Sequence, residues 1–347
     1  MSNIPYSFKV AAIQHAPVFL NIEESLEKAC GLIEQAASQG ANVIAFPETW
    51  LPGYPVWLDF SPKAALWDYA PAKALYQLLV DNSIAIPSRH LERLLAIARK
   101  TGTYIIMGVH EHLGGTLYNT MIYIGRDGKD FYVHRKLIPT YTERMVWGRG
   151  DGSTLGVLNT EYGNLGGLIC WEHWMPLARA AMHARYETVH VAQWPTVKEL
   201  HQLASRHYAF EGQCFVVAAG FILSRGEIIE GFDSLGQSGN EAIELLEAIP
   251  GVEEDLILKG GSALIAPNSD YIEGPVFDKP CILCAEIQPQ RIAEGHLFLD
   301  TQGHYSRPDV FQLEVNDRPQ SNVTFRSRSG QWETPVPRNT IDKPRRL

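Results

Sequence analysis

The sequence predicts an α/β fold, because short apolar runs typical of buried strands alternate with amphipathic helical patterns along most of the chain. Nearly every predicted strand is apolar throughout, which favours sheets that are covered by helices. The chain has 347 residues, 45% of them hydrophobic, and is long enough to bury one large core or two ordinary ones. We favour one domain. The pattern alone does not choose between one sheet and two.

The first half of the chain supports this prediction in order. Residues 8–14 are predicted as a strand, and residues 21–38 as an amphipathic helix with Asn21 as its N-cap and Glu24 in the capping-box position. A second helix is expected at 88–101, directly after Pro87. The other strands expected in this half lie at 43–46, 104–109 and 117–125 and from Phe131 onward.

The second half continues the alternation. The expected strands lie at 165–169, 188–193 and 214–219, and the helical patterns between them cover residues 176–185 and 197–211. A helix thus follows each of the first two strands, and this alternation favours a sheet that is covered by helices.

Two segments depart from the alternation and define the expected domain boundaries. Residues from about 225 to 260 are rich in Asp and Glu and interrupted by glycine, so we expect a surface insert with one short helix at 240–248. This insert is expected to be solvated cover or, as a sharper hypothesis, a subunit contact. Residues 316–347 are basic and poor in apolar residues, which predicts a flexible tail. The folded domain is expected over residues 1–315.

Charge and cysteine content exclude several classes of protein. The formal net charge of −9 argues against a nucleic-acid-binding surface. No apolar run is long enough to span a bilayer, and the N-terminus has no basic region followed by an apolar stretch. Five cysteines at irregular spacing do not form a disulfide framework. We therefore expect a cytoplasmic protein that binds neither nucleic acid nor membrane.

Three ionisable residues follow apolar runs at the points where strands are expected to end. Cys170 closes residues 165–169, Glu48 follows residues 43–46, and Lys136 follows the strand that begins at Phe131. A thiol, a carboxylate and an ammonium group at the ends of three strands suggest one site, with the cysteine as the nucleophile.

Other interpretations of these residues stay open at this point. A lone cysteine in an apolar run is more often a small buried hydrophobe than a nucleophile. Cys170 and His173 form a Cys-x-x-His pair, but no second half-site follows at zinc-finger spacing, so no metal is expected. The alternating His110 and His112 are expected to be structural. The Cys-x-x-Cys at 281–284 is expected to be a core strand rather than a redox site.

The sequence around the three residues resembles the nitrilase superfamily, whose Glu-Lys-Cys triad corresponds to Glu48, Lys136 and Cys170. Residues 134–152, HRKLIPTYTERMVWGRGDG, resemble the lysine-loop signature of true nitrilases rather than that of the amidase relatives. Residues 170–179, CWEHWMPLAR, resemble the nitrilase cysteine block. The resemblance extends from about residue 8 to about residue 311 and departs at no triad position.

The resemblance implies a four-layer αββα sandwich, in which two mixed β-sheets lie face to face with helices outside. It also implies a carbon–nitrogen hydrolase domain over residues 1–315 that needs no cofactor. A homo-oligomer is implied as well, built from dimers and extending to a spiral assembly in related nitrilases. The basic tail of one subunit would then contact the acidic insert of a neighbour.

The implied chemistry is hydrolysis of a nitrile to a carboxylic acid and ammonia through a covalent thioimidate and thioester on Cys170. Glu48 would act as the general base and acid, and Lys136 and the backbone N–H of Trp171 would stabilise the developing negative charge. Glu143 is the second carboxylate that we expect in the site. The alternative for Glu143 is an ion pair with Arg144 or Arg149.

Substrate choice is expected to depend on aromatic residues near the triad. The candidate substrate-binding residues are Tyr54, Trp171, His173 and Trp194. Aromatic walls favour aromatic or arylaliphatic nitriles. The alternatives are an aliphatic nitrilase, an amide or carbamoyl hydrolase of the same superfamily, and a catalytically silent scaffold that only assembles.

Overall fold

Two mixed β-sheets lie at the centre of the protein, whose computed structural model describes residues 4–321 and the backbone of two later strands. The strands are β1 (Phe8–Gln14), β2 (Val43–Ala45), β3 (Tyr104–Leu113), β4 (Thr116–Ile124), β5 (Phe131–Arg135), β6 (Leu158–Thr160), β7 (Gly163–Ile169), β8 (Glu187–Gln193), β9 (Phe215–Ala219), β10 (Ile222–Ser224), β11 (Leu256–Ile265), β12 (Tyr271–Phe277), β13 (Cys281–Ile287), β14 (Phe325–Arg326) and β15 (Trp332–Glu333).

Helices and short 3-10 turns connect these strands. The helices are α1 (Ile22–Ser38), α2 (Trp57–Phe60), α3 (Ala70–Asp81), α4 (Arg89–Thr101), α5 (Pro176–His183), α6 (Glu199–Gly212), α7 (Arg225–Asp233), α8 (Ile243–Glu247) and α9 (Gln290–His296). The 3-10 turns cover Tyr141–Met145, Gly152–Thr154 and Cys170–Trp174. None of the helices in the described part of the chain is long and apolar enough to cross a membrane.

Each main sheet combines a parallel centre with antiparallel edges. The first sheet has the order β13-β1-β2-β3-β4-β5, in which β1, β2 and β3 are parallel. The second has the order β10-β11-β9-β8-β7-β6, in which β7, β8 and β9 are parallel and β12 pairs with β11. The parallel strands explain the continuous apolar runs in the sequence, because both of their faces are buried.

The alternation of side chains along β1 shows how the layers are arranged. Val10 and Ala12 pack in one apolar cluster with residues of the second sheet, whereas Ala11 and Ile13 pack in another with helices such as α1 and α4. On the far side of the second sheet, Met182 of α5 and residues Ala204, Tyr208 and Ala209 of α6 complete the cluster. The order of layers is therefore helix, sheet, sheet, helix, and the predicted αββα sandwich is confirmed.

The helix boundaries that were predicted from capping residues agree with the structure. Asn21 caps α1, and its side-chain oxygen accepts a hydrogen bond from the backbone N–H of Glu24 at 3.2 Å. Ser88 caps α4 in the same way. Gly102 ends α4 with φ of +67°, in the left-handed region where glycine costs least. Helix α3, for which the sequence analysis makes no prediction, lies between these two.

The acidic insert differs from its prediction. The expectation of one short helix is wrong, because the segment contains α7 and α8 and then enters β11. Ile228 and Phe232 of α7 and Leu245 and Leu246 of α8 are buried in the core of the first sheet. The many acidic residues made the apolar faces of α7 and α8 difficult to recognise in the sequence. The predicted flexible tail at 316–347 lies mostly outside the described residues.

Candidate active site

The three strand ends that the sequence singled out meet at one place between the sheets. Lys136 directly follows β5, Cys170 directly follows β7, and Glu48 lies on the turn after β2. The two sheets are joined near this point by a hydrogen bond of 2.8 Å from Gln193 Nε2 to the carbonyl oxygen of Phe46. The site is therefore built from both sheets, with Glu48 and Lys136 from the first and Cys170 from the second.

A glycine on β3 lets the turn that carries Glu48 lie close to the sheet. A Cβ atom on Gly108 would come within 2.1 Å of the carbonyl oxygen of Pro47 and 2.5 Å of the backbone nitrogen of Thr49. No side chain fits in that space. The backbone N–H of Leu51 then donates to the carbonyl of Gly108 at 3.0 Å, which fixes the turn on the strand.

A buried ion cluster forms the first-sheet side of the site. The Lys136 ammonium nitrogen lies 2.7 Å from Glu48 Oε1 and 2.7 Å from Glu143 Oε2. All three side chains are almost completely buried. The alternative in which Glu143 pairs with Arg144 or Arg149 is wrong. A lysine between two carboxylates has enough negative charge around it to remain an ammonium ion inside the protein.

Hydrogen bonds from uncharged donors hold both carboxylates in place. Asn119 Nδ2 donates to Glu48 Oε1 at 2.7 Å, and the Tyr54 hydroxyl donates to Glu143 Oε1 at 2.9 Å. The backbone N–H of Thr140 donates to Glu143 Oε2 at 2.6 Å. Glu48 Oε2, by contrast, is buried and has no hydrogen-bond partner among the residues that the structure describes. This oxygen is free to accept a proton.

Cys170 occupies a strained backbone position beside this cluster. Its φ is +53°, a left-handed conformation that is unfavourable for a residue with a side chain. Its Sγ atom and one carboxylate oxygen each of Glu48 and Glu143 all lie within 4.8 Å of one another. The sharp change from β7 to the 3-10 turn thus directs the thiol toward the two carboxylates.

Glu172 ties the cysteine segment to the lysine segment. Its carboxylate accepts hydrogen bonds of 2.7 Å from the backbone N–H of Ile169, which precedes Cys170, and of Leu137, which follows Lys136. Burial alone would raise the pKa of Glu172, but its contact with His134 and these two N–H donors hold it below its ordinary value. Glu172 therefore fixes the geometry between the Cys170 turn and Lys136.

The protonation states of the site follow from burial and mutual charge. Burial raises the pKa of Glu48 to about 7, although the Lys136 ammonium lowers it and Glu143 raises it. Burial and the charge of Glu48 raise the pKa of the Cys170 thiol well above its ordinary value. Burial opposes the ammonium form of Lys136, but the surrounding anionic groups still raise its pKa. In the resting site the cysteine is a thiol that needs a base.

The predicted substrate-binding residues occupy different surroundings. Tyr54 lies in the site through its hydrogen bond to Glu143. The Trp171 side chain is 51% exposed at the surface. Trp194 is completely buried and stacks between the rings of His173 and His201, at centroid distances of 4.7 and 4.5 Å. His173 is buried and contacts the Cys170 carbonyl oxygen rather than the ion cluster.

Two residues that the sequence analysis did not name also belong to the site. Asn119 lies on β4 directly before Thr120, which pairs with Arg135, so its neighbour in the sheet is the end of the lysine strand. Trp147 is buried, and the Lys136 ammonium lies 5.9 Å from the centre of its ring. The only sequence signal for Asn119 is a polar residue within an apolar strand.

Within the described part of the chain, one set of three metal-ligand side chains lies close together, and it consists of Glu48, Glu143 and Cys170. The Lys136 ammonium lies between the two carboxylates and supplies a positive charge there. His110 uses both ring nitrogens in hydrogen bonds, to the Gly53 carbonyl and from the Trp147 indole N–H. Burial lowers the pKa of His110 to about 4, so this histidine is neutral.

Comparison with known proteins identifies relatives of this chain. A model of the family described as "Carbon-nitrogen hydrolase" matches residues 9–296. An aliphatic nitrilase of Sinorhizobium fredii (strain HH103) is 35% identical over 92% of this chain and 99% of its own length. A bifunctional nitrilase/nitrile hydratase of Lupinus angustifolius is 34% identical over 94% of this chain and 90% of its own length.

Solved structures agree at the level of the fold. A crystal structure of a carbon-nitrogen hydrolase from Helicobacter pylori G27 superposes with a TM-score of 0.61 at 19% identity, over 84% of this chain and 92% of that one. The chain belongs to the carbon–nitrogen hydrolase family. Within that family, its similarity to nitrilases over nearly the whole chain assigns it to the nitrilase branch.

Proposed function

We propose that this enzyme hydrolyses a nitrile to the carboxylic acid and ammonia through a covalent intermediate on Cys170. The observation that carries the proposal is the buried cluster of Glu48, Lys136 and Glu143 beside the Cys170 thiol. It supplies a base, a fixed positive charge and a second carboxylate around one nucleophile. The chemistry requires no cofactor.

The first step forms the thioimidate. Cys170 Sγ attacks the nitrile carbon, while Glu48 Oε2 accepts the thiol proton and then delivers it to the nitrile nitrogen. One carboxylate thus acts first as base and then as acid, and a pKa of about 7 suits both roles at neutral pH. Negative charge that develops on nitrogen is stabilised by the Lys136 ammonium and by the backbone N–H of Trp171.

Two molecules of water complete the reaction. The first adds to the thioimidate carbon and gives a tetrahedral intermediate. This intermediate takes up a proton on nitrogen, expels ammonia and leaves a thioester. The second water hydrolyses the thioester to the acid and restores the thiol. Glu143 keeps Lys136 in position and, with Glu48, provides the carboxylates that orient water and carry its protons.

Loss of thiolate instead of ammonia from the same tetrahedral intermediate would give the amide. The name of the lupin relative includes both outcomes. In the proposed mechanism the amine forms beside Lys136 and the two carboxylates, which would favour protonation and departure of nitrogen. We therefore propose the acid as the main product.

Aromatic or arylaliphatic nitriles are the proposed substrate class. The support is the pair of rings beside the ion cluster, since Tyr54 and Trp147 pack edge to face with centroids 5.9 Å apart. Trp194 is buried and stacks on the His173 ring, so it would support the substrate site by packing rather than line it as an exposed wall. The Sinorhizobium relative is named an aliphatic nitrilase, so short aliphatic nitriles are the alternative class.

We also propose one catalytic domain over residues 1–315, a basic tail from residue 316, and a cytoplasmic homo-oligomer. The matched family region at 9–296 supports the domain. Leu200, Leu203 and Phe210 form an exposed apolar stripe on one side of α6, which supports a contact with a second subunit. A cysteine nucleophile must stay reduced, which fits the cytoplasm.

The experiment is ammonia release from phenylacetonitrile, benzonitrile, an aliphatic dinitrile and the matching amides in reducing buffer. Wild type is compared with Cys170→Ala and with Cys214→Ala, a second buried cysteine outside the site. We expect nitrile turnover in wild type and Cys214→Ala and none in Cys170→Ala. Turnover of amides alone would move the enzyme to the amidase function, and turnover of neither class would contradict the proposal.

A further inference from the structure

A buried hydrogen-bonded chain leads from the carbonyl group of the nucleophile into the second sheet. His173 Nδ1 lies 2.7 Å from the Cys170 carbonyl oxygen, and His173 Nε2 lies 3.0 Å from His190 Nε2. His190 Nδ1 lies 2.8 Å from Glu187 Oε1, and the Tyr208 hydroxyl donates to Glu187 Oε2 at 2.5 Å. Each of these residues is at most 5% exposed.

The direction of every bond in the chain follows from its first member. A carbonyl oxygen only accepts, so His173 Nδ1 carries a proton and, in the neutral ring, His173 Nε2 accepts. His190 Nε2 must then donate. The Glu187–His190 pair therefore holds one proton between Glu187 Oε1 and His190 Nδ1. The chain keeps its order as long as that proton is present.

Burial locates this proton on the glutamate. It raises the pKa of Glu187 to about 7, against the lowering effects of the Tyr208 hydroxyl and His183. It lowers the pKa of His190 far below its ordinary value and that of His173 to about 3. Both histidines are therefore neutral, and below about pH 7 Glu187 carries the proton and donates it to His190.

The packing indicates that this carboxyl group has a specific place. A Cβ atom on Gly166 of β7 would come within 1.9 Å of Glu187 Oε1, so the glutamate occupies the space that a side chain would fill. The His190 ring stacks on the Tyr208 ring with centroids 3.6 Å apart. These contacts leave the rings little freedom to rotate.

We propose that His173, held by His190 and Glu187, is a positioning residue that orients the Cys170–Trp171 peptide group. Because a peptide unit is planar, a hydrogen bond that fixes the Cys170 carbonyl also fixes the Trp171 N–H on the opposite side of the same plane. That N–H is the proposed oxyanion-type donor, so the inference rests on the proposed function. The strained φ of Cys170 makes an external constraint on this plane necessary.

The first test compares His173→Leu with His173→Asn. Leucine removes the donor, whereas the asparagine amide nitrogen replaces His173 Nδ1 as the donor to the Cys170 carbonyl. We expect His173→Leu to lower kcat by roughly 10-fold to 100-fold at nearly unchanged KM, up to the loss caused by deleting an oxyanion donor. His173→Asn should recover most of kcat.

Alkylation of Cys170 separates this role from general damage to the nucleophile. Iodoacetamide reacts by displacement of iodide and builds no negative charge that an oxyanion donor could stabilise. His173→Leu should therefore be alkylated at nearly the wild-type rate while its nitrile turnover falls. An equal fall in both rates would mean that the chain holds the thiol rather than the peptide, and would overturn the inference.

Glu187 and Tyr208, at the far end of the hydrogen-bonded chain, can be replaced by side chains of similar shape. Glutamine at position 187 keeps a donor for His190 and an acceptor for Tyr208, so Glu187→Gln should keep kcat within about 2-fold, whereas Glu187→Leu should lose it as His173→Leu does. Tyr208→Phe removes one buried hydroxyl from the chain. Tyr123→Phe removes another, which donates only to the Gly167 carbonyl, and is the matched control.

The outcomes are distinguishable from failure of the proposed function. A wild-type enzyme that releases no ammonia from any nitrile would refute the function itself. An active wild type in which folded His173→Leu keeps full kcat, or in which His173→Asn is no better, would overturn only the inference. If His173→Leu does not fold, the comparison of Tyr208→Phe with Tyr123→Phe tests the inference. Equal kcat values for these two variants would contradict a role of the hydrogen-bonded chain in catalysis.

Discussion

Two glutamates of this protein share burial and a raised pKa but have opposite surroundings. Burial raises the pKa of both Glu48 and Glu187 to about 7. Glu48 lies beside an ammonium ion and keeps one oxygen without a partner, whereas both oxygens of Glu187 are occupied by neutral groups. A shifted pKa therefore does not identify the catalytic carboxylate. The unoccupied oxygen and the adjacent Cys170 thiol are what support Glu48 as the proposed base.

The difference extends to the two sides of the site. The first sheet contributes a charged cluster whose members stabilise one another, and the second contributes a neutral chain whose members fix one another's tautomers. Charge is needed where the reaction creates charge. A neutral chain is sufficient where the task is to hold a peptide group in one orientation.

The largest expected contrast comes from the same substitution at both glutamates. Glu48→Gln removes the base and should lower kcat/KM by roughly 10²-fold to 10⁴-fold, the usual contribution of general acid–base catalysis. Glu187→Gln keeps its hydrogen bonds and should change kcat/KM by less than about 2-fold. Ammonia release measures both, with thermal unfolding as the control for folding. Similar losses in the two variants would remove the distinction between the two sides.

Stability gives the next contrast. Lys136→Met leaves two buried carboxylates without a counter-charge, and it should lower the free energy of unfolding by about 3–5 kcal/mol. The loss should be larger at pH 8 than at pH 6, because protonation of Glu48, whose pKa lies near 7, relieves it. His190→Leu leaves no buried ion and should cost about 1–3 kcal/mol. Urea unfolding at both pH values tests this, and adding Glu143→Gln should restore part of the stability of Lys136→Met.

The features that could be predicted from the sequence are those that a single segment shows by itself, such as an ionisable residue at the end of an apolar strand. Glu48, Lys136 and Cys170 each follow an apolar run, and their meeting follows from the sandwich that the family resemblance implied. The number of sheets could not be derived from periodicity, because a strand has the same apolar pattern in one sheet or two. The arrangement of the strands in two sheets depends on pairings between segments that are distant in the sequence.

Other features required the register between strands. Asn119 acts on Glu48 only because β4 pairs with the lysine strand, and His190 reaches the cysteine turn only because β8 pairs with β7. In the sequence, each is one of several polar residues in a largely apolar strand, and nothing distinguishes it from the others. Helices α7 and α8 were hidden for another reason, since acidic residues on their exposed faces masked a short apolar face.

The pH dependence of kcat/KM sharpens the role of Glu48. As the proposed base, Glu48 must be ionised, and the ionised form is present above its pKa, so activity should fall about tenfold per pH unit as the pH decreases below about 7. The Asn119 amide donates to the ionised carboxylate and lowers its pKa. Asn119→Leu should therefore move this acidic limb to higher pH. A limb that stays in place or moves to lower pH would contradict the assignment.

The smallest expected effect is that of Glu187→Gln on the pH profile. It decides which glutamate titrates in the acidic limb of kcat/KM. Both pKa values lie near 7, so the wild-type profile alone does not separate Glu48 from Glu187. Glutamine at position 187 does not titrate, and the charges that shift the pKa of Glu48 most are those of Lys136 and Glu143, so an acidic limb that belongs to Glu48 should move by less than about 0.3 pH unit. If the limb disappears in Glu187→Gln, the titrating group lies in the histidine chain. The neutral side would then control the reaction through the orientation of the Cys170–Trp171 peptide, and the charged side would only stabilise its products.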